Sequence, residues 1–346
     1  MKTKSIIGLM SLCFGTIFSS SLLAAVFTVN NAPGGGAQFT QINAAVAAAS
    51  AGDTLLISGS SDVYTDATLS KSLTLLGPGA FNNSVFGLKA RIANVNLSNN
   101  SSNSAICGLE FAGGSLSAFA ITVSNIRVVN CHFPSSRLLL NLTNSSNVYI
   151  QNNIFSGGNS SIEINGGSGN FNFLIDHNII NGFINGSTIS GVTVQNNVFY
   201  NSAPNGQPSA FFNACSLLVI KNNIFYNSSP SANISSSIYD NNITYSSSTT
   251  YSPLGGTNID NANPLFVNVP NGGNYLVSHD FHLQATSPGK NAGSDGTDIG
   301  YYGGIVQVNP SGEPIEMPFI RSMNVLNSNV APNGNVNVKV ISTKSK

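Results

Sequence analysis

The sequence predicts a parallel β-solenoid, in which short strands stack coil upon coil, and two observations carry that prediction. A unit of apolar alternation followed by paired asparagines returns about every 22 residues between residues 109 and 242. Inside each unit the apolar residues keep the parity of a strand that turns one face inward. A repeat this short holds one or two strands and cannot bury a face alone, so each copy must stack on the next.

The repeat is most regular between residues 148 and 244. The successive units read VYIQNNIF, FLIDHNII, VTVQNNVF, LVIKNNIF and IYDNNIT. Their second asparagines are Asn153, Asn178, Asn197, Asn223 and Asn242, and the same register extends backwards to Cys131 and Leu109. Neither a leucine-rich consensus nor an amphipathic helix fits inside these units, which excludes the horseshoe and helical solenoids.

The residue before each second asparagine is predicted to lie at a bend, over its equivalents about 4.8 Å away in the neighbouring coils. Asparagine suits this position because it tolerates left-handed backbone geometry and its amide can both donate and accept along a stack. The interpretation is structural for all members, which are Asn152, His177, Asn196, Asn222 and Asn241.

A helix is predicted to cap the N-terminal end of the solenoid. Residues 38–51 place Phe39, Ile42, Ala45, Val46 and Ala49 on one helical face, and the pattern ends at a glycine, Gly52. The segments DTLLISG and SLTLLGPG follow and alternate like the first strands of a coil. An amphipathic cap would cover the otherwise open apolar end.

These features resemble the right-handed parallel β-helix, or pectin-lyase-like, superfamily of secreted bacterial proteins. The resemblance covers residues 38 to about 245, and NPLFVN, DFHLQATSPGKNAG and DIGYYGG resemble the closing segment of many such proteins. It implies an all-β, single-stranded right-handed parallel β-helix over residues 26–304 with an N-terminal amphipathic helix cap. It does not identify a reaction, because β-helices carry lyases, hydrolases, adhesins and inert scaffolds.

The two ends of the chain differ in character from the repeats. Residues 1–25 have a basic start, an apolar middle and small residues at the end, which predicts a signal peptide and a secreted, extracellular or cell-surface protein. No later stretch is long and apolar enough to span a membrane. Residues 305–346 are punctuated by proline and glycine and are predicted to form a C-terminal cap or tail.

The low content of charged residues limits the kinds of molecule that this protein is expected to bind. Charged residues make up 8% of the chain, and 13 acidic side chains balance 13 basic ones. This argues against nucleic acid or an anionic membrane as a partner. A neutral exterior rich in Asn, Ser, Thr and Gly is typical of polysaccharide binding or of an inert surface, and we expect a monomer. Of the three cysteines after residue 25, Cys131 is expected to be a buried free thiol, and a disulfide from it to Cys107 is disfavoured because their registers differ.

Candidate catalytic residues come from an outward row, the position before each asparagine pair. Lys221 and Asp240 are neighbours in this row, and Asp176 lies two coils from Lys221. A lyase needs a base to abstract a proton and a cation to neutralise a carboxylate, which makes Lys221, Asp176 and Asp240 the candidate catalytic residues. The alternative is a solvated pair without function.

A second row is aromatic. Tyr200, Tyr226 and Tyr245 follow the apolar pair in consecutive coils and are candidates for a sugar-binding platform. The alternative is a tyrosine ladder that only stabilises the solenoid.

Metal binding has weak support in the sequence. His279, Asp280 and His282, with Asp295 and Asp298, form the densest group of possible ligands, but they are expected to fix turns, so no metal residue is assigned. The LIDH motif at residues 174–177 resembles part of the pectate lyase signature without its tryptophan. A calcium site is possible but lacks an acidic cluster, and no cofactor is predicted.

Two functions remain open at this level. The first is recognition or processing of extracellular polysaccharide, by a lyase or a glycoside hydrolase if the protein is an enzyme. The second is a non-catalytic, adhesin-like or structural surface protein.

Overall fold

The computed structural model describes residues 24–305, residue 308 and the strands at 318–325 and 338–344, apart from residues 82–87, 114–117, 136, 142–144, 158–161, 166–169, 183, 187–189, 201–210, 213–216, 231–236 and 271–274. Within these residues the chain is mostly β, with one short helix. Its strands stack in parallel into a solenoid, which confirms the predicted fold class. Residues 1–23 of the predicted signal peptide and Cys215 lie outside the described residues.

The longest sheet has ten parallel strands and runs along the whole solenoid. The backbone register continues from each coil to the next, so equivalent residues of successive repeats lie side by side. In order across the sheet, its strands are Val26–Val29, Thr54–Ile57, Thr74–Leu76, Ala105–Cys107, Ile126–Val129, Val148–Gln151, Asn170–Asp176, Ser190–Gln195, Val219–Lys221 and Ile238–Asp240.

Two further parallel sheets complete the coils. The eight-stranded sheet contains Arg91–Ile92, Glu110–Phe111, His132–Phe133, Ile154–Phe155, Ile179–Ile180, Val198–Tyr200, Ile224–Tyr226 and Ile243–Tyr245. The five-stranded sheet contains Ala118–Ile121, Arg137–Asn141, Ile162–Asn165, Ile184–Gly186 and Phe211–Phe212. Three strand pairs lie outside these sheets, namely Ala67–Leu69 with Val95–Leu97, Phe266–Asn268 with Asp280–Leu283, and Pro318–Val325 with Val338–Lys344.

The cap helix spans Ile42–Ala48, which is shorter than the predicted 38–51. Its buried residues include Ile42, Ala45 and Val46, as expected for the apolar face. The helix begins late because Phe39 pairs with the first strand instead, donating its N–H to the carbonyl of Thr28 at 3.0 Å. No helix among the described residues is long and apolar enough to cross a membrane.

The interior is built from the inward residues of each strand, stacked by residue type. Phe111, Phe133 and Phe155 stack with ring centroids 4.5 and 4.7 Å apart, and Phe199 and Phe225 stack at 5.0 Å. Offset stacks of this kind add to the energy of burial. Cys131 is fully buried in the same core, and neither Cys131 nor Cys107 is in a disulfide, as expected from the sequence.

The second asparagines form a ladder inside the coils. Each side-chain oxygen accepts a hydrogen bond from the backbone N–H of the equivalent residue one coil before, for example Asn178 Oδ1 from Asn153 N–H at 2.9 Å. The same register includes Cys131, whose N–H donates to Asn153 Oδ1 at 2.9 Å, as predicted. Asn178 Nδ2 donates in turn to Ile150 O at 2.9 Å. These buried amides are therefore satisfied, which explains their repetition.

The bend positions also form a stack, and all of its predicted members have positive φ. The values are 53° for Asn152, 53° for His177, 52° for Asn196, 56° for Asn222 and 51° for Asn241. This confirms the structural interpretation of the stack.

The side chains of the bend stack hold the segment of residues 289–304, called the closing segment below. Asn222 Oδ1 accepts from Ser294 N–H at 2.8 Å, and Asn241 Nδ2 donates to Ala292 O at 2.8 Å. The Tyr301 hydroxyl donates to Asn152 Oδ1. The residues of the bend stack therefore have two roles: they turn the chain, and they bind the closing segment to the solenoid by hydrogen bonds.

The closing segment lies over the outward face of the eight-stranded sheet. The outward residues there form a second apolar cluster with Phe266, Phe281, Ile299 and Tyr301; they are Ile154, Ile179, Val198, Ile224 and Ile243. Gly300 is needed for this approach, because a Cβ at this position would lie 2.6 Å from Ile224 Cδ1. In the first three strands of the same sheet, the equivalent row is polar and consists of Arg91, Glu110 and His132.

Candidate functional site

The outward row that supplied the candidate catalytic residues has the predicted register. Strand pairing places Gln151, Asp176, Gln195, Lys221 and Asp240 side by side in that order. Register alone does not make them a site, because the three candidate side chains differ in exposure and in contacts.

Asp176 is 1% exposed and faces protein groups only. Its Oδ1 lies 2.6 Å from His177 Nδ1 and accepts from Asn196 Nδ2 at 3.1 Å, while its Oδ2 accepts from Gln151 Nε2 at 3.2 Å. Burial raises the pKa of Asp176, but the contacts with His177, Gln151 and Asn196 outweigh it, and the net pKa is lowered. A carboxylate held in this way is a poor proton acceptor for a substrate.

Lys221 and Asp240 are half-buried neighbours on the ten-stranded sheet. Asp240 Oδ1 accepts from the hydroxyl of Thr257. No ion pair joins Lys221 to either candidate carboxylate among the described side chains. The structure therefore does not bring Lys221, Asp176 and Asp240 into one cluster.

The tyrosines are stacked as expected, but two of the three are buried and so do not form the exposed platform that the sequence predicted. Tyr200 and Tyr226 have ring centroids 5.9 Å apart, and they are only 0% and 3% exposed. Phe281 packs on the edge of Tyr200 at 5.8 Å, and Phe266 lies 5.3 Å from Tyr226. Only Tyr245, which is half-buried, keeps a surface that a sugar could reach without displacing these rings.

The possible metal ligands near residue 280 are divided among separate contacts. Asp280 Oδ1 lies 2.6 Å from His282 Nδ1, and Asp298 pairs with Lys290 at 2.6 Å. His279 packs edge-on against the ring of Tyr200 at 5.6 Å. In the described part of the chain, no group of three or more His, Cys, Asp or Glu side chains could hold a metal ion.

A different cluster lies on the polar end of the eight-stranded sheet. Glu110 Oε2 is 2.9 Å from His132 Nδ1, and His132 Nε2 is 2.8 Å from Ser156 Oγ. Lys89 Nζ lies 2.6 Å from the same Glu110 oxygen. The four side chains thus form one line of contacts across four successive coils.

Strand register creates this line. Glu110 pairs with His132 directly, and His132 pairs with Ile154, so Ser156 is the diagonal neighbour two residues further on. Diagonal neighbours on one face remain within reach of long side chains. The inward residues beside them, Phe111, Phe133 and Phe155, are stacked and buried and hold the strands in place.

The Glu110 carboxyl group remains ionised down to a pH well below neutral. Burial raises its pKa, but hydrogen bonds from His132 and Lys89 and the charge of Lys89 outweigh it, and the pKa falls from 4.5 to about 2. The side chains of Glu110 and His132 are 14% and 12% exposed, so the pair is shielded but not sealed from solvent.

The proton positions follow from the partners of His132. A carboxylate can only accept, so Nδ1–H donates to Glu110. In the neutral ring Nε2 then carries the lone pair and accepts the Ser156 hydroxyl proton. A carboxylate that orients a histidine, which in turn accepts from a serine hydroxyl, is the arrangement that activates serine as a nucleophile.

No pattern in the sequence singled out this cluster. Glu110, His132 and Ser156 are separated by one coil each, and no local motif contains two of them. The available signal was the repeat register itself: Glu110 and His132 each precede an inward phenylalanine, and Ser156 follows one. Comparing chemical groups along equivalent positions of the coils would have found them.

Comparisons with known proteins place few limits on function. No protein-family model matches the chain, and no curated protein matches it either. Among solved structures it is similar to the pectin methylesterase from Aspergillus niger in a penultimately deglycosylated form, with a TM-score of 0.45 and 12% identity over 67% of this chain and 92% of that chain. The deglycosylated form of that enzyme gives a TM-score of 0.45 and 13% identity over the same shares.

Proposed function

We propose that this β-helix protein is a serine ester hydrolase that acts on an ester carried by an extracellular polysaccharide. The observation that carries the proposal is the continuous hydrogen-bonded line from Glu110 through His132 to Ser156. It supplies a nucleophile, a general base and an orienting carboxylate at hydrogen-bonding distances.

The reaction follows from this geometry. Ser156 Oγ attacks the ester carbonyl carbon while its proton passes to His132 Nε2, and Glu110 stabilises the imidazolium that forms. The C–O bond to the alcohol breaks, and His132 returns the proton to the departing alkoxide. Water then attacks the acyl-serine and gives a proton to His132, and collapse releases a carboxylic acid as Ser156 regains its proton.

Accessibility supports the proposal. Ser156 is half-buried, and its strand lies where the polar outward row meets the apolar row under the closing segment. The chain after Ser156 turns close to the preceding coil, because a Cβ at Gly157 would lie 3.0 Å from Pro134 O. The Ser156 hydroxyl, which is half-buried and contacts the outward His132, is thus held on the surface side of the strands and not in the core.

The substrate class rests on composition. The chain carries 8% charged residues and no net charge, and its polar surface groups are mostly neutral amides and hydroxyls. Such groups suit hydrogen bonding to carbohydrate more than capture of a highly charged polymer. The signal-like residues 1–25 favour an extracellular location for this substrate.

The test is hydrolysis of esters by the whole protein. Purified protein is incubated with 4-nitrophenyl acetate and with acetylated and methyl-esterified polysaccharides, and released acid or alcohol is measured. We expect turnover that Ser156→Ala abolishes. Ser72→Ala is the matched control, because Ser72 is also half-buried and donates to the carbonyl of Asn103, which is not part of the line from Glu110 to Ser156.

The possible outcomes separate the candidate functions. Equal turnover by wild type and Ser156→Ala would overturn the assigned nucleophile. Cleavage of the polysaccharide backbone without loss of ester would favour a lyase or glycoside hydrolase, with the half-buried Lys221 and Asp240 as the next residues to change. Polysaccharide binding without any turnover would favour the non-catalytic surface protein.

A further inference from the structure

We propose that Lys89 is a positioning residue that fixes the Glu110 carboxylate toward His132. The effect of Lys89 on catalysis rests on the proposed function. The contact from Lys89 through Glu110 to His132 does not, and it can be measured separately. No sequence motif pointed to Lys89.

Both donors to Glu110 use the same oxygen. Lys89 Nζ is 2.6 Å and His132 Nδ1 is 2.9 Å from Oε2. Glutamate has three side-chain torsions, and on an outward strand position its carboxylate can sample several of them. Two donors that converge on one oxygen from opposite neighbouring coils select the rotamer that faces His132.

Backbone contacts on both sides of Lys89 place this residue beside Glu110. Gly59 lies against the carbonyl of Leu88 so closely that a Cβ at residue 59 would lie 1.7 Å from that oxygen. Ser60 N–H then donates to Lys89 O at 3.1 Å, and Glu110 N–H donates to Ala90 O at 3.0 Å. These contacts fix the chain on both sides of Lys89 and bind it to the strand of Glu110.

The surrounding charges explain why Lys89 has this role and Arg91 does not. Arg91 pairs in register with Glu110, yet its guanidinium donates to the carbonyl of Ser61. The described charged or titratable groups of the strands packed at this site are Lys89, Arg91, Glu110 and His132, and the adjoining loop adds the exposed Asp62. Lys89 is therefore the cation that holds Glu110.

Removal of Lys89 has two separable consequences. Glu110 loses one of its two donors and samples other rotamers, so the histidine is oriented less well and kcat falls with little change in KM. When Glu110 does face His132, its charge is no longer shared with an ammonium group. His132 then holds a second proton more firmly, and the acidic limb of the kcat/KM profile moves to higher pH.

The experiment compares Lys89→Met, Lys89→Arg and Lys290→Met in the full chain. Lys290 is the matched control, because it forms an ion pair of the same length, 2.6 Å, with Asp298 in the closing segment. For Lys89→Met we expect kcat to fall about tenfold, a small part of the 10²–10⁴-fold that a positioned general base contributes. Lys89→Arg should restore most of it, and Lys290→Met should leave kcat and the pH profile unchanged.

A spectroscopic readout keeps this test independent of activity. The His132 ring is observed by NMR, with His132→Gln used to assign its Nδ1 proton resonance. We expect Lys89→Met to shift that resonance and the pH at which the ring titrates, and Lys290→Met to leave both unchanged. An unchanged resonance and titration in a folded Lys89→Met protein would overturn the positioning role, even if esterase activity is present. A shifted resonance in a protein without esterase activity would keep the coupling and overturn only the proposed function.

Discussion

Two of the carboxylate–histidine pairs among the described residues, Glu110–His132 and Asp176–His177, differ in what the second ring nitrogen faces. In the first pair, His132 contacts Glu110 through Nδ1 and the Ser156 hydroxyl through Nε2. In the second pair, His177 contacts Asp176 through Nδ1 at 2.6 Å, and its Nε2 donates to the carbonyl of Gly303 at 2.7 Å. A hydroxyl can give a proton, whereas a carbonyl can only accept one.

This difference decides which histidine can act as a base. His132 has a neutral form that satisfies both contacts and leaves Nε2 ready to take a proton. Nε2 of His177 donates its proton to Gly303 O, and Nδ1 faces a carboxylate oxygen, so neither nitrogen faces a hydroxyl that could give it a proton. The Asp176–His177 pair therefore serves to anchor the closing segment, whereas the Glu110–His132 pair is suited to proton transfer.

The location of each pair fits its role. Asp176 and His177 are each 1% exposed, and a Cβ at Gly304 would lie 3.0 Å from His177 Nε2, so the closing segment seals this pair. Glu110 and His132 lie beyond the apolar cluster that the closing segment covers. One segment thus buries one pair and leaves the other open to a substrate.

The largest expected effect is on activity. His132→Gln should lower kcat/KM for an ester by at least about 10²-fold, because it removes the general base. His177→Asn should leave kcat/KM within about twofold, since asparagine is the residue of the equivalent bend positions in the neighbouring coils and His177 takes no part in the chemistry. Steady-state kinetics on both variants measures this contrast, and a large loss in His177→Asn would break the distinction between the two pairs.

The second-largest expected effect is on stability, and here the Asp176–His177 pair should contribute more than the Glu110–His132 pair. Asp176→Ala removes the acceptor of Gln151 and Asn196 and the nearest polar partner of the buried His177, and should lower the free energy of unfolding by about 3 kcal/mol. Glu110→Ala should cost about 1 kcal/mol, because His132 and Lys89 can turn to solvent. Urea unfolding of the two variants gives the comparison, and equal losses would show that the pairs are not energetically different.

The smallest effect is on the acid dependence of stability. The folded-state pKa of Glu110 is depressed from 4.5 to about 2, so its stabilising contribution is complete above pH 4.5 and is lost as the pH falls toward 2. Glu110→Gln should therefore flatten the decline in unfolding free energy between pH 4.5 and 2 relative to wild type. Chemical unfolding at several pH values in this range checks the sign, and a steeper decline in Glu110→Gln would contradict it.

The solenoid could be predicted from the sequence because its signals repeat. The asparagine ladder, the bend stack and the inward apolar residues each recur once per coil, so each copy supports the same interpretation. The length of the cap helix was wrong because Phe39 fits a helical face and a strand equally well by pattern. Its backbone contact with Thr28 decided the outcome.

The candidate site was harder to predict because its residues occur once each. The sequence placed Lys221, Asp176 and Asp240 in the correct row, but the surroundings of each side chain depend on residues distant in sequence. The closing segment covers Asp176 and His177, and Thr257 donates to Asp240. Tyr200 and Tyr226 are likewise covered by rings from later in the chain, Phe281 and Phe266. Glu110, His132 and Ser156 meet only through the register of successive coils, and no local pattern shows that register.

The most direct test of the central claim is covalent labelling of Ser156. Wild type, His132→Gln and His177→Asn are treated with a fluorophosphonate at neutral pH, and the modified residue is mapped by mass spectrometry. The account predicts rapid labelling at Ser156 in wild type and His177→Asn, and strongly slowed labelling in His132→Gln. Labelling at another residue, or an equal rate in His132→Gln, would contradict the activation of Ser156 by His132.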